Sequence, residues 1–337
     1  MKKLLFFFLA SLLCPALWTG CQEIDEIKDA GEEITVALNL TGDFDVDVSQ
    51  DPLTRASSSN DAYAVEVRYD NGVYAYGLFD NVEDMTITLL SNHTYSFYCT
   101  LVKDAKNTLY YGQAFNNTYS GYAYPFHTSA SNSTQITNRF IVGTGVTFSG
   151  MKSGRSHIIS TTSPSTSNYT QYPQVDRYYG VTTGYVPVQN GTINIYLKRT
   201  VFGARFVVNG LKEGSLSVDA SNSTYGSFHS KTYYSNTEGT ETIYTFPDVG
   251  GVYSNDLPLV ATVSLKYDSN RGDLWDMSQG KDIQFKRNVM TTVNIDLNPD
   301  LSGAKFSVTE EPMDEDNVID MGINTDGLID IVVKPEN

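Results

Sequence analysis

Alternation of apolar and polar residues with a period of two dominates the chain. Such alternation places apolar side chains on one face of a β-strand and polar ones on the other. A period of 3.6 residues is nearly absent, and Tyr, Thr and Val, which suit strands, are abundant. The pattern predicts an all-β fold built from β-sandwiches. The clearest alternating segments are Ile34–Leu40, Met85–Leu89, Tyr95–Leu101, Ile193–Leu197, Leu259–Tyr267 and Val293–Leu297.

The alternation also divides the chain. Asp70-Asn71-Gly72 stands between two strand-like segments and predicts a β-hairpin. Residues 107–183 are rich in Tyr, Ser, Thr, Asn and Gly and contain few alternating segments, which indicates long loops. Regular strands resume at Ile193. We therefore predict an N-terminal β-sandwich with long loops at residues 56–188 and a C-terminal β-sandwich at residues 189–337.

The first twenty-one residues resemble an export signal. Lys2 and Lys3 precede an apolar segment, Leu4–Leu13, that is too short to span a bilayer. The segment ends at Leu17-Trp18-Thr19-Gly20-Cys21, which resembles a lipobox, although Trp18 stands where Leu is usual. We predict a signal peptide at residues 1–20, a lipid on Cys21, and a location at the cell surface or outer membrane. The alternative is an ordinary signal peptide with a chance Cys.

Residues 21–55 form an acidic leader with one predicted strand, Ile34–Leu40. Residues 22–55 hold ten acidic residues against Lys28 and Arg55. A polar segment, Asp51–Asn60, follows, and Arg55 is its basic residue. Proteolytic cleavage concentrates in polar, exposed segments of this kind.

Charge and cysteine content exclude several classes of function. The chain has 23 basic and 39 acidic residues and a net charge of −16. Binding of nucleic acid requires a basic face, so we expect no nucleic-acid partner. Cys14 lies in the signal peptide and Cys21 would carry the lipid, which leaves Cys99 alone and predicts no disulfide bond. Cys99 lies on an apolar strand face, where a lone Cys is usually a small core residue.

Catalytic and metal-binding patterns are weak. The histidines His93, His127, His157 and His229 are scattered and lack the spacing of a zinc site. No Gly-x-Ser-x-Gly sequence occurs. A glycosidase carboxylate pair is not excluded by counting acidic residues, but these cluster in the leader and in residues 310–316, where a solvated linker is expected. We predict a protein that is not an enzyme and uses no metal or cofactor.

Tyrosines in the loop-rich region are candidates for ligand binding. They are interleaved with Asn, Ser and Gly, a mixture that suits adaptable recognition surfaces. Ordinary packing of the rings across strands is the alternative. The candidates are Tyr110, Tyr111, Tyr119, Tyr122 and Tyr124.

Four sequence features occur in order along the chain: the lipobox, Leu53-Thr54-Arg55-Ala56, Leu197-Lys198-Arg199 running into Ala204–Val208, and Phe285–Leu297. Together they resemble the fimbrillin superfamily of pilus and pilus-like surface proteins. The resemblance implies two tandem transthyretin-like Greek-key β-sandwich domains and export as a lipoprotein. It also implies cleavage between Arg55 and Ala56, loss of the strand at Ile34–Leu40, and assembly into a filament that acts in cell adhesion.

Assembly of this kind needs a donor strand. The candidate is the C-terminal segment with Leu328, Ile329, Ile331 and Val333, and the alternative is that this segment completes its own sheet. The predicted partners are other pilus subunits, host protein or glycan, and the outer membrane through the lipid. The loop-rich first domain favours a tip or accessory subunit over a stalk subunit. The alternative function is a static glycan-binding outer-membrane lipoprotein of a polysaccharide-uptake system.

Overall fold

The structure is a computed structural model of the 337-residue chain. It describes residues 31–43, 60–70, 72–113, 120–128, 132–143, 147–159, 167–235, 237, 239–269, 274–276, 280–299, 301, 303–313, 321–323 and 329–331. The predicted signal peptide, Cys21, Arg55 and Ala56 lie outside these residues.

The described residues are mostly strands, which confirms the all-β class. The first twelve strands are β1 (Glu33–Gly42), β2 (Ala62–Tyr69), β3 (Gly72–Phe79), β4 (Thr86–Leu90), β5 (Tyr95–Val102), β6 (Tyr111–Gln113), β7 (Ser120–Tyr122), β8 (Ile141–Val142), β9 (Ser156–Ile159), β10 (Ser167–Thr170), β11 (Arg177–Tyr185) and β12 (Thr192–Arg199).

The remaining strands are β13 (Val201–Asn209), β14 (Ser215–Asn222), β15 (Gly226–Tyr234), β16 (Thr240–Thr245), β17 (Leu259–Asp268), β18 (Leu274–Asp276), β19 (Lys281–Phe285), β20 (Val289–Leu297), β21 (Ala304–Pro312), β22 (Met321–Ile323) and β23 (Ile329–Ile331). The short helices are α1 (Ala105–Thr108) and α2 (Val249–Asn255), and a 3-10 turn spans Val82–Asp84. Each segment with clear alternation in the sequence lies within one of these strands, except that Met85 directly precedes β4.

The first sandwich is formed by one sheet, in the order β4-β1-β12-β11-β5-β2-β3-β8. β12 joins the two halves of this sheet, since Thr192–Leu197 pair with β1 whereas Lys198 and Arg199 pair with β11. Apolar side chains of β1, β4 and β12 share one core with those of β2, β5 and β11. The sheet therefore folds over at β12, so that its two halves enclose the core.

The predicted boundary after residue 188 differs from this arrangement. Ile193, Ile195 and Leu197 of β12 are fully buried in the first core. The return of alternation at Ile193 therefore marks a strand that rejoins the first sheet. The second sandwich begins with β13, at Val201.

The second sandwich has two sheets. One has the order β16-β13-β20-β21, and the other has β15-β14-β17, with β18 and β19 both pairing with β17. Phe202 of β13 lies at the centre of the core between them, with its ring 5.0 Å from that of Phe246 and 5.4 Å from that of Phe285. Burial of such rings is the main source of stability in a chain whose one described cysteine, Cys99, is free.

The segments between β5 and β11 form a packed layer on the first sandwich. Phe126, Phe148 and Met151 are buried there against Ala64 and Leu78 of the sheet. Part of the region whose composition predicted long loops therefore forms a second core on the outer face of the sheet. Cys99 is fully buried in the first core, as predicted, and burial raises the pKa of its thiol.

His229 gives the second sandwich a predictable sensitivity to acid. Its ring stacks on Phe206 with the centroids 4.2 Å apart, and burial, with Lys231 adding to the effect, lowers the pKa of His229 from 6.5 to about 4. Because this pKa is lower in the folded state, the unfolded state binds more protons between pH 6.5 and 4, and stability falls as the pH falls through that window. We expect His229 to remove about 2 kcal/mol of unfolding free energy between pH 7 and 5.

Urea unfolding at pH 7 and pH 5 measures this effect. His229→Gln should lose less stability on acidification than the wild type by about that amount. An unchanged pH dependence in His229→Gln would show that His229 is not the group responsible.

Candidate strand-exchange site

β1 contributes one complete face to the core of the first sandwich. Ile34, Val36, Leu38 and Leu40 are at most 6% exposed, and Leu40 is fully buried. The residues between them, such as Thr35 and Ala37, face solvent. Every second side chain of β1 enters the core, and this is the alternation that predicted the strand from the sequence.

Both edges of β1 are paired. Glu33–Ala37 pair antiparallel with Leu90–Thr86 of β4, and Ala37–Gly42 pair parallel with Thr192–Leu197 of β12. Side chains also link β1 to β4 on the solvent face, where the hydroxyls of Thr35 and Thr88 are 3.0 Å apart. β1 is the strand that connects β4 to the sheet, so its departure would leave unpaired edges on both neighbours.

The covalent connection of β1 to the sandwich runs through residues 44–59. These residues lie outside those described, and the predicted cleavage position between Arg55 and Ala56 is among them. A single cut there would leave β1 attached to the rest of the sandwich by non-covalent contacts.

Asp43, directly after β1, contacts both sandwiches. Its carboxylate accepts hydrogen bonds from the Tyr196 hydroxyl at 2.8 Å and the Arg199 amide at 3.0 Å. It also pairs with Arg287 of the second sandwich at 2.5 Å, and the Arg287 Nε donates to Asp256 at 2.7 Å. The hydrogen bond from Arg287 holds the pKa of the Asp256 carboxyl below its usual value. We call Asp43, Arg199, Asp256 and Arg287 the leader latch.

Loss of the Asp43 charge should weaken the leader latch. We expect Asp43→Asn to lower the free energy of unfolding by about 1 to 2 kcal/mol, because Asp43 and Arg287 are largely buried and an ion-paired hydrogen bond is lost. Urea denaturation measures the change. Glu32→Gln, at an exposed carboxylate before β1, is the matched control and should be neutral. Equal stability of the two variants would show that the Asp43–Arg287 pair contributes nothing.

The described candidate tyrosines differ in how much of each ring a ligand could reach. Tyr111 is 50% exposed, but Tyr122 and Tyr124 are 5% and 8% exposed and pack among other rings. Tyr110 is half-buried, with its ring 4.8 Å from that of His157. Tyr119 lies outside the described residues. Tyr122 and Tyr124 have packing roles, because little of either ring is left to contact a ligand, so the four described candidates do not form one exposed surface.

The C-terminal candidate donor is described in part. Ile329 and Ile331 lie in β23, whose described pairing is with β22, and Leu328 and Val333 lie outside the described residues. Donation of this strand stays a prediction.

The histidines that were considered for chemistry have local partners. His127 contacts the Thr147 carbonyl and the Thr134 hydroxyl, each at 2.9 Å, and His157 stacks on Tyr169 with centroids 4.2 Å apart. Within the described ranges, no group of three or more His, Cys, Asp or Glu side chains could hold a metal ion. No helix among those residues has the length and apolar character needed to cross a membrane.

The leader latch was missed by the sequence analysis. Asp43 is one acidic residue in a leader that was interpreted as solvated, and Arg287 lies more than 240 positions further along the chain. The position of Asp43 directly after the alternating segment of β1 was a signal for this contact in the sequence. Its partner, Arg287, could be identified only from the fold.

A scan of the sequence against protein families and a search of curated proteins gave no match. Among solved structures, a proposed cell adhesion protein from Bacteroides eggerthii is 10% identical, with 84% of this chain and 96% of that chain covered and a TM-score of 0.40.

Two further structures show the same level of similarity. The fimbrial anchor protein Mfa2 from Porphyromonas gingivalis is 9% identical, covering 84% of this chain and 99% of that chain, with a TM-score of 0.36. Proposed polysaccharide-binding proteins from Bacteroides thetaiotaomicron are 10% identical, covering 85% and 99%, with a TM-score of 0.37. The chain is similar to adhesion and fimbrial proteins, the class that the sequence features resemble.

Proposed function

We propose that this chain is a fimbrillin-like surface subunit that assembles by exchange of a β-strand. The observation that carries the proposal is the position of β1. It is an interior strand with four core side chains, yet it precedes the rest of the sandwich in the chain and is joined to it by the segment that contains Arg55 and Ala56.

The energetics favour refilling of the β1 position. Burial of Ile34, Val36, Leu38 and Leu40 contributes about 6 to 12 kcal/mol, at about 1.5 to 3 kcal/mol for each side chain. That is comparable to the entire stability of a typical domain. A sandwich without β1 would also expose the backbone groups of β4 and β12 that now pair with it. A strand from another copy restores both the core and the backbone pairing.

The proposed route begins at the membrane. Lipid on Cys21 holds the exported chain at the cell surface, and cleavage after Arg55 frees β1 to leave. The incoming strand is the C-terminal segment of a second copy. Its Ile329, Ile331 and Val333 alternate with the period of Ile34, Val36 and Leu38, so they can fill the same sites in the core.

Limited digestion of the mature chain with an arginine-specific protease tests the proposal. The protein used is Cys21→Ser without residues 1–20. We expect cleavage after Arg55, release of residues 21–55, and multimers that persist in mild denaturant. Arg55→Gln should remain intact and monomeric. A variant that ends at residue 327 should be cleaved but form no multimers.

Two results would contradict the proposal. One is cleaved protein that releases β1 and stays monomeric. The other is wild-type chain that resists cleavage at Arg55 under all conditions in which the sandwiches remain folded. The second result would favour a static glycan-binding lipoprotein that keeps residues 21–55 as its linker.

A further inference from the structure

The carboxylate of Asp43 lies in a receptor that both sandwiches build. Arg287, in the turn between β19 and β20, donates to it from the second sandwich. The first sandwich contributes the Tyr196 hydroxyl and the Arg199 backbone amide. The side chains of Asp43 and Arg287 are only 17% and 21% exposed, so their ion pair is shielded from water. We call these three donors the carboxylate receptor.

Arg287 is held in place by contacts other than Asp43. Its Nε donates to the Asp256 carboxylate at 2.7 Å, and its Nη1 donates to the Arg199 carbonyl at 3.3 Å. Asp256 in turn lies 3.6 Å from the Lys198 ammonium. Departure of β1 takes Asp43 away with it and leaves this guanidinium directed at a site that has lost its anion. A strand that replaces β1 therefore gains affinity if it brings a carboxylate to the same position.

The incoming strand has two registers in which its three alternating apolar residues enter the core. Ile329, Ile331 and Val333 replace either Ile34, Val36 and Leu38 or Val36, Leu38 and Leu40. In the second register Glu336 stands at the position of Asp43, because each acidic residue follows the last core side chain of its strand by three positions. In the first register Glu336 stands at Thr41, two positions short of the receptor. Alternation alone cannot distinguish these registers, because both keep the same side chains on the core face.

Pro335 is compatible with the second register, in which it takes the position of Gly42. A proline has no amide hydrogen to donate to a neighbouring strand. The Asp43 amide donates to the Leu197 carbonyl of β12, so the Gly42 amide points to the opposite side, towards β4. The described pairing of β4 with β1 covers Glu33–Ala37 and ends before Gly42. Among the described residues, a proline there removes no hydrogen bond of the β4 ladder.

We propose that Glu336 of a second copy binds the carboxylate receptor in place of Asp43 and so fixes the register of the incoming strand. This inference rests on the strand exchange proposed above and names the residue that aligns it. A slip of one residue would turn the apolar side chains to solvent, and a slip of two would remove the Glu336 carboxylate from Arg287. Because Arg287 belongs to the second sandwich, the ion pair also ties the incoming strand to both sandwiches of the acceptor.

Titration calorimetry with a synthetic peptide of residues 326–337 tests the inference. The acceptor is the mature chain that ends at residue 327, cleaved after Arg55 and separated from its leader. We expect the Glu336→Gln peptide to bind about tenfold or more weakly than the unaltered peptide, because a shielded, charge-assisted hydrogen bond is lost. The multimers of a full-length Glu336→Gln chain should likewise dissociate at a lower urea concentration than those of the wild type.

The matched control is the Asp330→Asn peptide. It also loses one carboxylate, but at the solvent-facing position of Ala37, and should bind like the unaltered peptide. An Arg287→Gln acceptor tests the partner, since it should bind the unaltered and Glu336→Gln peptides equally. The peptide comparisons in the unaltered acceptor need no change in the protein, so they decide the outcome even where Arg287→Gln lowers its stability.

The two proposals fail in different ways. Failure of the unaltered 326–337 peptide to bind would contradict donation of the C-terminal strand, and this inference with it. Binding of that peptide that Glu336→Gln does not weaken would overturn the Glu336 register and leave strand exchange in place. An equal loss of affinity in the Glu336→Gln and Asp330→Asn peptides would also overturn it, because the effect would then be one of net charge.

Discussion

A chain that begins at Ala56 is expected to bind a synthetic peptide of residues 31–43 and to regain the stability of the uncut protein. The peptide carries the four core side chains of β1 together with Asp43 of the leader latch. Without it, β4 has lost its sheet partner and the first core is open on one side. We therefore expect no cooperative unfolding transition of the first sandwich in the shortened chain until the peptide is added.

Peptide variants distinguish insertion into the core from adhesion to the surface. Leu40→Ala removes a fully buried side chain and costs about 2 to 5 kcal/mol, so the peptide should bind at least about 30-fold more weakly. Ala37→Ser changes the solvent-facing side of the strand and should bind like the original peptide. Equal binding of the Leu40→Ala and original peptides, measured by titration calorimetry, would show that the β1 site is not an open slot.

Arg177→Met, at the first residue of β11, is expected to destabilise the first sandwich strongly. The guanidinium is fully buried and donates to the Ser153 and Met151 carbonyls, each at 2.6 Å, and to the Thr100 hydroxyl at 3.0 Å. Burial lowers the pKa of Arg177 to about 9, so the group still carries its charge at neutral pH. Its removal leaves buried carbonyls without donors, and we expect a loss of about 4 kcal/mol.

The same residue fixes the loop of Lys152, because the two carbonyls it holds belong to the residues on either side of Lys152. Urea denaturation measures the loss of stability, and Arg139→Met, at an exposed arginine of the same sandwich, is the matched control with an expected change below about 0.5 kcal/mol. Arg177→Lys should recover part of the stability, since one ammonium cannot reach all three acceptors. An Arg177→Met protein within 1 kcal/mol of the wild type would contradict this account of the buried guanidinium.

Strands were well predicted because local alternation decides which side of a strand is buried. Ile34–Leu40 and Leu259–Tyr267 are strands with the predicted apolar face buried. Pairing was not predictable in the same way. β12 pairs with β1, which lies some 150 positions earlier in the chain, and nothing in the sequence of β12 identifies β1 as its partner. The pairing of β12 with β1, which the predicted domain boundary did not anticipate, reflects that difference between local pattern and non-local pairing.

The aromatic candidates show a second limit. Tyr111 and Tyr122 each stand beside a glycine in the sequence, yet Tyr122, like Tyr124, is buried and Tyr111 is exposed. Burial here depends on residues distant in the chain, such as Tyr169, whose ring lies 5.1 Å from that of Tyr124. The burial of these rings could therefore be known only from the fold, whereas the strand β1 could be predicted from its own sequence.

The N-terminus of the protein within surface multimers tests the central claim most directly. Mass spectrometry of multimers recovered from the outer surface of the native host would identify the N-terminal residue of each chain in the unaltered protein. Strand exchange predicts chains that begin at Ala56, with residues 31–43 absent from the assembled material. Multimers whose chains retain lipidated Cys21 and an uncut bond between Arg55 and Ala56 would contradict it.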